Sequence, residues 1–315
     1  MQLSNTSLAR KCLTAVIAMA LPIAASAAPV IVESPYIRTA IGDNGTLGYG
    51  GNTSPGLQHD PSGTGNWGVE DYLTPGSPWE YFGVTTDQTG TVGNNNEDWG
   101  SSPIFTTSGP VDVSATSAFD YHVIWAGQYG VGGSAFFEIT HSYFFNQNNE
   151  RINIETTITA LQTLTGGRFL RAIDPDPDVN THGDYDTINS RGGAGIAPED
   201  FVNSVGSHTG LTLGLFTRSD MTHNTGISAS WTTDPEFYLA GTNDGNGDYV
   251  IGLSYDFGSL NTGESVTMSY AYVMGGTLDT VDIPDPSQIP EPATLGLLGI
   301  GLFSIAAGMR RRRKQ

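Results

Sequence analysis

Ala135-Phe-Phe-Glu-Ile-Thr-His-Ser-Tyr-Phe-Phe145, then Asn146-Gln-Asn-Asn149, then Arg151-Ile-Asn-Ile-Glu-Thr-Thr-Ile-Thr-Ala160 follow almost without a break. In the last run Ile152, Ile154 and Ile158 alternate with Asn153, Glu155 and Thr157, the period of two that puts every second side chain on one face of a strand. Asn146 to Asn149 has the residues of a tight connection, so the two runs read as a hairpin. The same alternation appears in Val111-Asp-Val-Ser-Ala-Thr116, Leu211-Thr-Leu-Gly-Leu215 and Val266-Thr-Met-Ser-Tyr-Ala-Tyr-Val-Met274. Val250 to Asp256 adds another strand before a turn at Leu260-Asn-Thr-Gly263. Faces of this kind must be covered, and a second sheet is the simplest cover. The expected fold is all-β, an antiparallel β-sandwich occupying residues 28–278. Its first part is less regular, since Ile41 to Gly56 is dense in glycine and turn formers, which predicts loops and short edge strands as far as Trp79.

Both ends of the chain are of another character. Arg10 and Lys11 precede the apolar core Cys12 to Leu21, and Ala25-Ser-Ala27 supplies small residues for signal peptidase, so residues 1–27 read as a signal peptide. Cys12 is the single cysteine; it leaves with the signal, and no disulfide is available to the mature protein. Residues 279–289 combine acidic residues and prolines without an apolar period and read as a linker. Then come Pro290-Glu291-Pro292, an uncharged apolar run over 293–309, and Arg310 to Arg313 with Lys314. The run is at the short end of the roughly 17–25 residues of a membrane-crossing helix. The basic cluster would keep its end in the cytoplasm and place everything before it on the far side of the inner membrane.

This ordered tail, residues 290–315, resembles the PEP-CTERM sorting signal of Gram-negative bacteria. The resemblance implies an exosortase partner, a membrane-embedded cysteine protease that would recognise Pro290, Glu291 and Pro292, remove the helix and release the protein to the outside. In the body, Arg171-Ala-Ile-Asp-Pro-Asp-Pro-Asp178 and Asp186-Thr-Ile-Asn189 resemble uncharacterised bacterial extracellular β domains, some of them similar to the supersandwich of galactose mutarotases. That likeness concerns fold and implies no activity.

The formal net charge is −19. Between the two signals the basic residues are Arg38, Arg151, Arg168, Arg171, Arg191 and Arg218, with no lysine. Such a surface repels nucleic acid and anionic lipid and suits divalent cations.

Catalytic signatures are missing: there is no Gly-x-Ser-x-Gly, no His-Glu-x-x-His, no phosphate loop and no cysteine nucleophile in the body. His59, His122, His141, His182, His208 and His223 stand apart without ligand spacing. Two carboxylate clusters stand out. Asp174, Asp176 and Asp178 alternate with prolines, followed by Asp186; these hard oxygen ligands repel unless a cation or Arg171 lies between them. Asp244, Asn246 and Asp248 have the first three ligand spacings of an EF-hand-like loop, which then departs at Tyr249. Calcium is the expected ion for both. Trp67, Trp79 and Trp99 lie in loops where a ring can stack on a sugar, whereas Trp125 belongs to a core strand. The expected function is structural or adhesive, at the cell surface or in an extracellular matrix, with exopolysaccharide as a partner. The competing class is a secreted carbohydrate-active enzyme, whether mutarotase-like, lyase or glycosidase.

Overall fold

The computed structural model describes residues 28–97 and 102–284. Strands β1 (Val30–Glu33), β2 (Ile37–Ile41) and β3 (Leu57–His59) make a small sheet from the glycine-rich first part. Next come β4 (Glu80–Thr86), β5 (Gly90–Asn95), β6 (Phe105–Asp112), β7 (Tyr121–Val131), β8 (Ser134–Phe145), β9 (Arg151–Ala160) and β10 (Leu164–Ile173). A short helix α1 (Val179–His182) leads into β11 (Thr187–Arg191), β12 (Phe201–Gly206), β13 (Thr212–Phe216) and β14 (His223–Ser228). Helix α2 (Pro235–Leu239), β15 (Val250–Leu260) and β16 (Ser265–Gly275) complete the order.

The strands form an eight-stranded sheet ordered β11-β12-β13-β16-β9-β8-β7-β6 and a five-stranded sheet ordered β14-β15-β10-β4-β5. Their named strand pairs are antiparallel. The β8–β9 pair is the expected hairpin, closed by a hydrogen bond from Asn149 N to Asn146 O of 2.9 Å. Alternate residues of β9, among them Ile152, Ile154 and Ile158, are buried with Phe137, Ile139, Trp125, Met268 and Tyr272 of the same sheet. Phe82, Val84, Phe169, Leu253 and Tyr255 of the other sheet meet them in one core. Each such side chain contributes about 1.5–3 kcal/mol by leaving water, which makes this sandwich-like core the main support of the fold.

Two boundaries differ from the sequence reading. Val111 to Thr116 is not one strand: β6 ends at Asp112, and Ser114–Thr116 is a 3-10 turn. The Asp112 carboxylate accepts from Ser114 N at 2.9 Å, and this local bond competes with the ladder. The stretch 279–289 begins docked and not as a free linker. Leu278–Thr280 is a 3-10 turn, and Leu278, Val281 and Ile283 pack on Phe201, Phe216, Ala271 and Val273 on the outer face of the large sheet. Asp282 accepts from Glu150 N at 2.9 Å and pairs with Arg151. The signal peptide, Trp99, the triplet at 290–292 and the apolar run 293–309 lie outside the described residues. Among the described residues no helix is long and apolar enough to cross a membrane.

One charged pair lies inside the core. Arg171 of β10 and Glu80 of β4 are both fully buried and joined side chain to side chain. Tyr272 Oη donates to Glu80 at 2.7 Å, Leu47 N donates to the other Glu80 oxygen at 2.8 Å, and Arg171 Nη2 donates to Tyr143 Oη at 3.2 Å. With its hydrogen bonds satisfied in this way, a buried carboxylate can remain ionised beside its guanidinium.

Candidate metal centre

Strand β10 runs out directly into Asp174-Pro-Asp-Pro-Asp178, and the pleat decides where each side chain goes. Arg171 faces the core between the sheets with Phe169 and Ile173, while Leu170 and Ala172 face outward and pack with Trp79, Tyr81, Tyr238 and Val250 under α2. Asp174 continues the outward parity, its N–H donating to Trp79 O at 2.9 Å, and Asp176 N donates to Tyr72 O at 2.8 Å. Arg171 is therefore on the wrong face to neutralise the aspartates, a correction to the sequence reading; its partner is Glu80.

The third carboxylate arrives from the neighbouring strand. β15 pairs with β10, and Asp248 stands two residues before its first residue, Val250. Thr187 and Gly247 exchange backbone hydrogen bonds of 3.2 and 3.0 Å, which pins the Asp248 loop beside Tyr185 and Asp186. One oxygen from each of Asp174, Asp176 and Asp248 lies within 4.8 Å of the others. Oxygens bound to one calcium at about 2.3–2.6 Å can stand at most about 5 Å apart, so this spacing fits a single ion.

Burial makes the cluster unusual. Asp174 is 3% and Asp176 2% exposed, and each has a buried Oδ1 without a hydrogen-bond partner among the described residues. Asp248 is exposed and opens the cluster to solvent. Desolvation, then the charges of Asp176 and Asp248, hold the Asp174 carboxyl well above the ordinary carboxylate range. Desolvation followed by Asp248 pushes Asp176 up to about 8. Asp248 is also raised, first by desolvation and then by the charge of Asp186, with the hydrogen bond from Asp174 opposing. Without a cation the group retains protons; with one, the charges the site now resists would be neutralised.

Aromatic rings flank the opening. Trp231 has φ +54°, a left-handed conformation rare for a bulky residue. Its indole N–H donates to Asp248 O at 3.2 Å, and its ring centroid is 6.1 Å from that of Trp79. Tyr185 is 41% exposed. A Cβ at Gly76, where φ is +71°, would stand 2.6 Å from the Tyr185 ring and 3.4 Å from an Asp176 oxygen, so only glycine admits this approach.

The other sequence candidates are placed elsewhere. Asp178 is fully buried, but its carboxylate already accepts from His208 N at 2.7 Å, Thr209 N at 3.1 Å and Thr209 Oγ1 at 2.5 Å. Asp186 is exposed and near Asp248 only through its charge. Asp244 accepts from Ala229 N at 2.8 Å and Asn246 from Asn189 N at 2.9 Å, so those two hold the loop's shape and leave Asp248 as its contribution. The two carboxylate clusters read from sequence thus supply one shared group. Trp79 is 5% exposed and packed, not presented to solvent, because residue 79 shares the covered face of Tyr81. Trp67 is half-buried with Arg38 over its ring at 5.6 Å. Trp231, which the sequence also offers as a ring able to stack on a sugar but ranks behind Trp67, Trp79 and Trp99, lies beside the cluster.

Among the described residues no histidine joins a metal-holding cluster. His59 meets Glu150 at 2.7 Å, His122 lies between Ser117 and Ser142, His141 is buried against Thr156, and His223 meets Asp200 at 2.8 Å. His182 stacks on His208, which bonds Asp184 at 3.0 Å.

Among solved structures the body is similar to a candidate kojibiose phosphorylase from the human microbiome, with 8% identity over 80% of this chain and 34% of that one, TM-score 0.40. A candidate aldose 1-epimerase from Escherichia coli K12 gives 10% identity over 78% and 98%, TM-score 0.39. An alpha-mannosidase from Enterococcus faecalis V583 gives 13% over 78% and 29%, TM-score 0.38. The chain spans about a third of the length of the phosphorylase and of the mannosidase. At these identities and TM-scores no chemistry passes to this chain. No curated protein matches it. The family model of the PEP-CTERM protein-sorting motif matches residues 288–313, a segment that includes Pro290, Glu291 and Pro292. That tail gives the chain a PEP-CTERM protein-sorting motif, the mark of export and of sorting by an exosortase.

Proposed function

We propose that the exported body is a structural or adhesive domain of the cell surface or extracellular matrix, and that a calcium ion held by Asp174, Asp176 and Asp248 completes its folded state. The observation that carries the cation is that Asp174 and Asp176, each with a buried, unpartnered oxygen, bring a carboxylate oxygen within 4.8 Å of a third carboxylate that opens to solvent. Burying ionised carboxylates without partners costs several kcal/mol each, and a hard divalent ion removes that cost in the folded state alone. An extracellular medium supplies such ions, and a lysine-free acidic body is suited to them.

Thermal unfolding in chelator, in calcium and in ionic-strength-matched sodium chloride tests this. Calcium at about one hundred times its dissociation constant should add roughly 2.7 kcal/mol, and sodium much less. An unchanged Tm in calcium, or one raised equally by sodium, refutes the site.

The catalytic alternative draws on one observation, the Asp176 carboxyl pushed up to about 8, suitable for an acid that donates a proton near neutrality. It would require turnover of a glycoside or polyuronate by the purified protein that disappears in Asp176→Asn.

A further inference from the structure

We infer that the same centre binds a neutral saccharide through a pair of cis-vicinal hydroxyls on the bound cation, with the sugar's C–H face against Trp231; this rests on the cation reading. Asp174, Asp176 and Asp248 offer carboxylates to an ion that takes six to eight oxygens, so coordination positions remain on the open side, where Asp248 is exposed. Asp174 and Asp176, 3% and 2% exposed with unpartnered Oδ1 atoms, fix the ion from below and leave that side for an outside ligand.

The rim supplies what a sugar needs besides coordination. Trp231 is half-buried, tied to the Asp248 carbonyl by its indole N–H at 3.2 Å and backed by Trp79 at 6.1 Å. Its polar edge is thereby occupied and its ring is held beside the cluster. Tyr185, 41% exposed, stands near Asp176 beside Gly76. Adjacent hydroxyls on one side of a pyranose can replace two waters on the ion, and the ring's apolar face suits an indole. Charge selects within the saccharides: the chain has a net charge of −19 and its body has no lysine, so a neutral sugar is favoured over a uronate.

The test uses the purified full chain, titrated calorimetrically with calcium chloride and then with mannotetraose, whose residues carry cis hydroxyls at C2 and C3, or with cellotetraose, in which that pair is trans. Mannotetraose should bind in calcium and weaken by about ten-fold or more in chelator, with cellotetraose weaker than mannotetraose by a similar factor. Trp231→Gly, a residue that accepts the φ of +54°, should retain calcium binding and lose mannotetraose by about ten-fold or more. Tyr185→Ala, on the exposed rim, should weaken mannotetraose with calcium binding intact. Calcium binding without mannotetraose binding, or mannotetraose binding equal in the parent and both variants, overturns the saccharide site and leaves the cation site standing. Absence of calcium binding overturns both.

Discussion

Asp174 and Asp248 come from the ends of two neighbouring strands and meet closely enough for one carboxyl to donate a hydrogen bond to the other. Such a bond requires a proton that the unfolded chain would release near pH 4, and Asp176 beside them is in the same position. The folded body without metal is therefore a proton store, and its stability depends on pH in a direction opposite to that of ordinary salt-bridged aspartates.

That direction can be measured. Below the unfolded value of 3.8 Asp176 is protonated in both states, and its contribution is fully present. Between there and about 8 the unfolded chain has released its proton while the folded one retains it, so stability falls as pH rises and the loss is complete above about 8. In chelator the Tm should fall by about 5–15 °C from pH 5 to pH 8. Saturating calcium ionises the folded carboxylates, removes the difference in bound protons and should flatten the profile. Calorimetric Tm values falling equally in both buffers would exclude the coupling.

Neighbouring aspartates should behave oppositely. Asp176→Asn removes a buried carboxyl with an unpartnered oxygen, so in chelator at pH 8 it should leave the Tm unchanged or raise it, while abolishing the response to calcium. Asp178→Ala removes the acceptor for His208 N, Thr209 N and Thr209 Oγ1, and should destabilise by about 2–4 kcal/mol with the calcium response retained. Urea denaturation of both variants, with and without calcium, checks the pair.

These contrasts show what was legible in the chain. Alternation in β9 and β16 revealed the strands, because a half-buried sheet imposes its period on sequence, and the Asp-Pro repeat stood out as a carboxylate cluster. Asp178 could not be told from Asp176 by sequence, since its partners lie in the turn at residues 207–210. The wrong role for Arg171 arose from reading proximity along the chain where the pleat sends residues 171 and 174 to opposite faces. The joining of Asp248 to Asp174 depends on β15 pairing with β10, a long-range fact without a local signature. Val281 and Ile283 dock without periodicity, because two side chains in an Asp-Pro stretch suffice to cover a patch of sheet.

Glu80 and Arg171 should act on stability independently of the metal centre. Glu80→Ala leaves a fully buried guanidinium without its carboxylate, surrounded by Phe82, Tyr143 and Tyr272. The expected loss is about 3–5 kcal/mol. Calcium affinity in the folded fraction should be unchanged, since Glu80 and Asp174 occupy opposite faces of the sheet. A loss of affinity comparable to that of Asp176→Asn would contradict the separation of the two faces.

The docked stem sets a length for sorting. Pro284 is buried on the body, and residues 285–289 alone separate it from the triplet. Six steps along an extended chain span about 20 Å at most, so a protease reading Pro290, Glu291 and Pro292 must work close to the folded domain. Replacing the three by alanine should leave a heavier, membrane-retained species, because the recognition element is gone. Deleting residues 285–289 should also retard processing, here because the body crowds the triplet. Adding Asp282→Ala to the deletion, which removes the partner of Arg151 and the acceptor of Glu150 N, should free the stem and restore part of the processing. Mass spectrometry of membrane and released fractions distinguishes the cases. Equal masses for the parent and the triple-alanine protein would mean that the triplet is not read; full processing of the deletion would mean that the stem releases from the body before the protease acts.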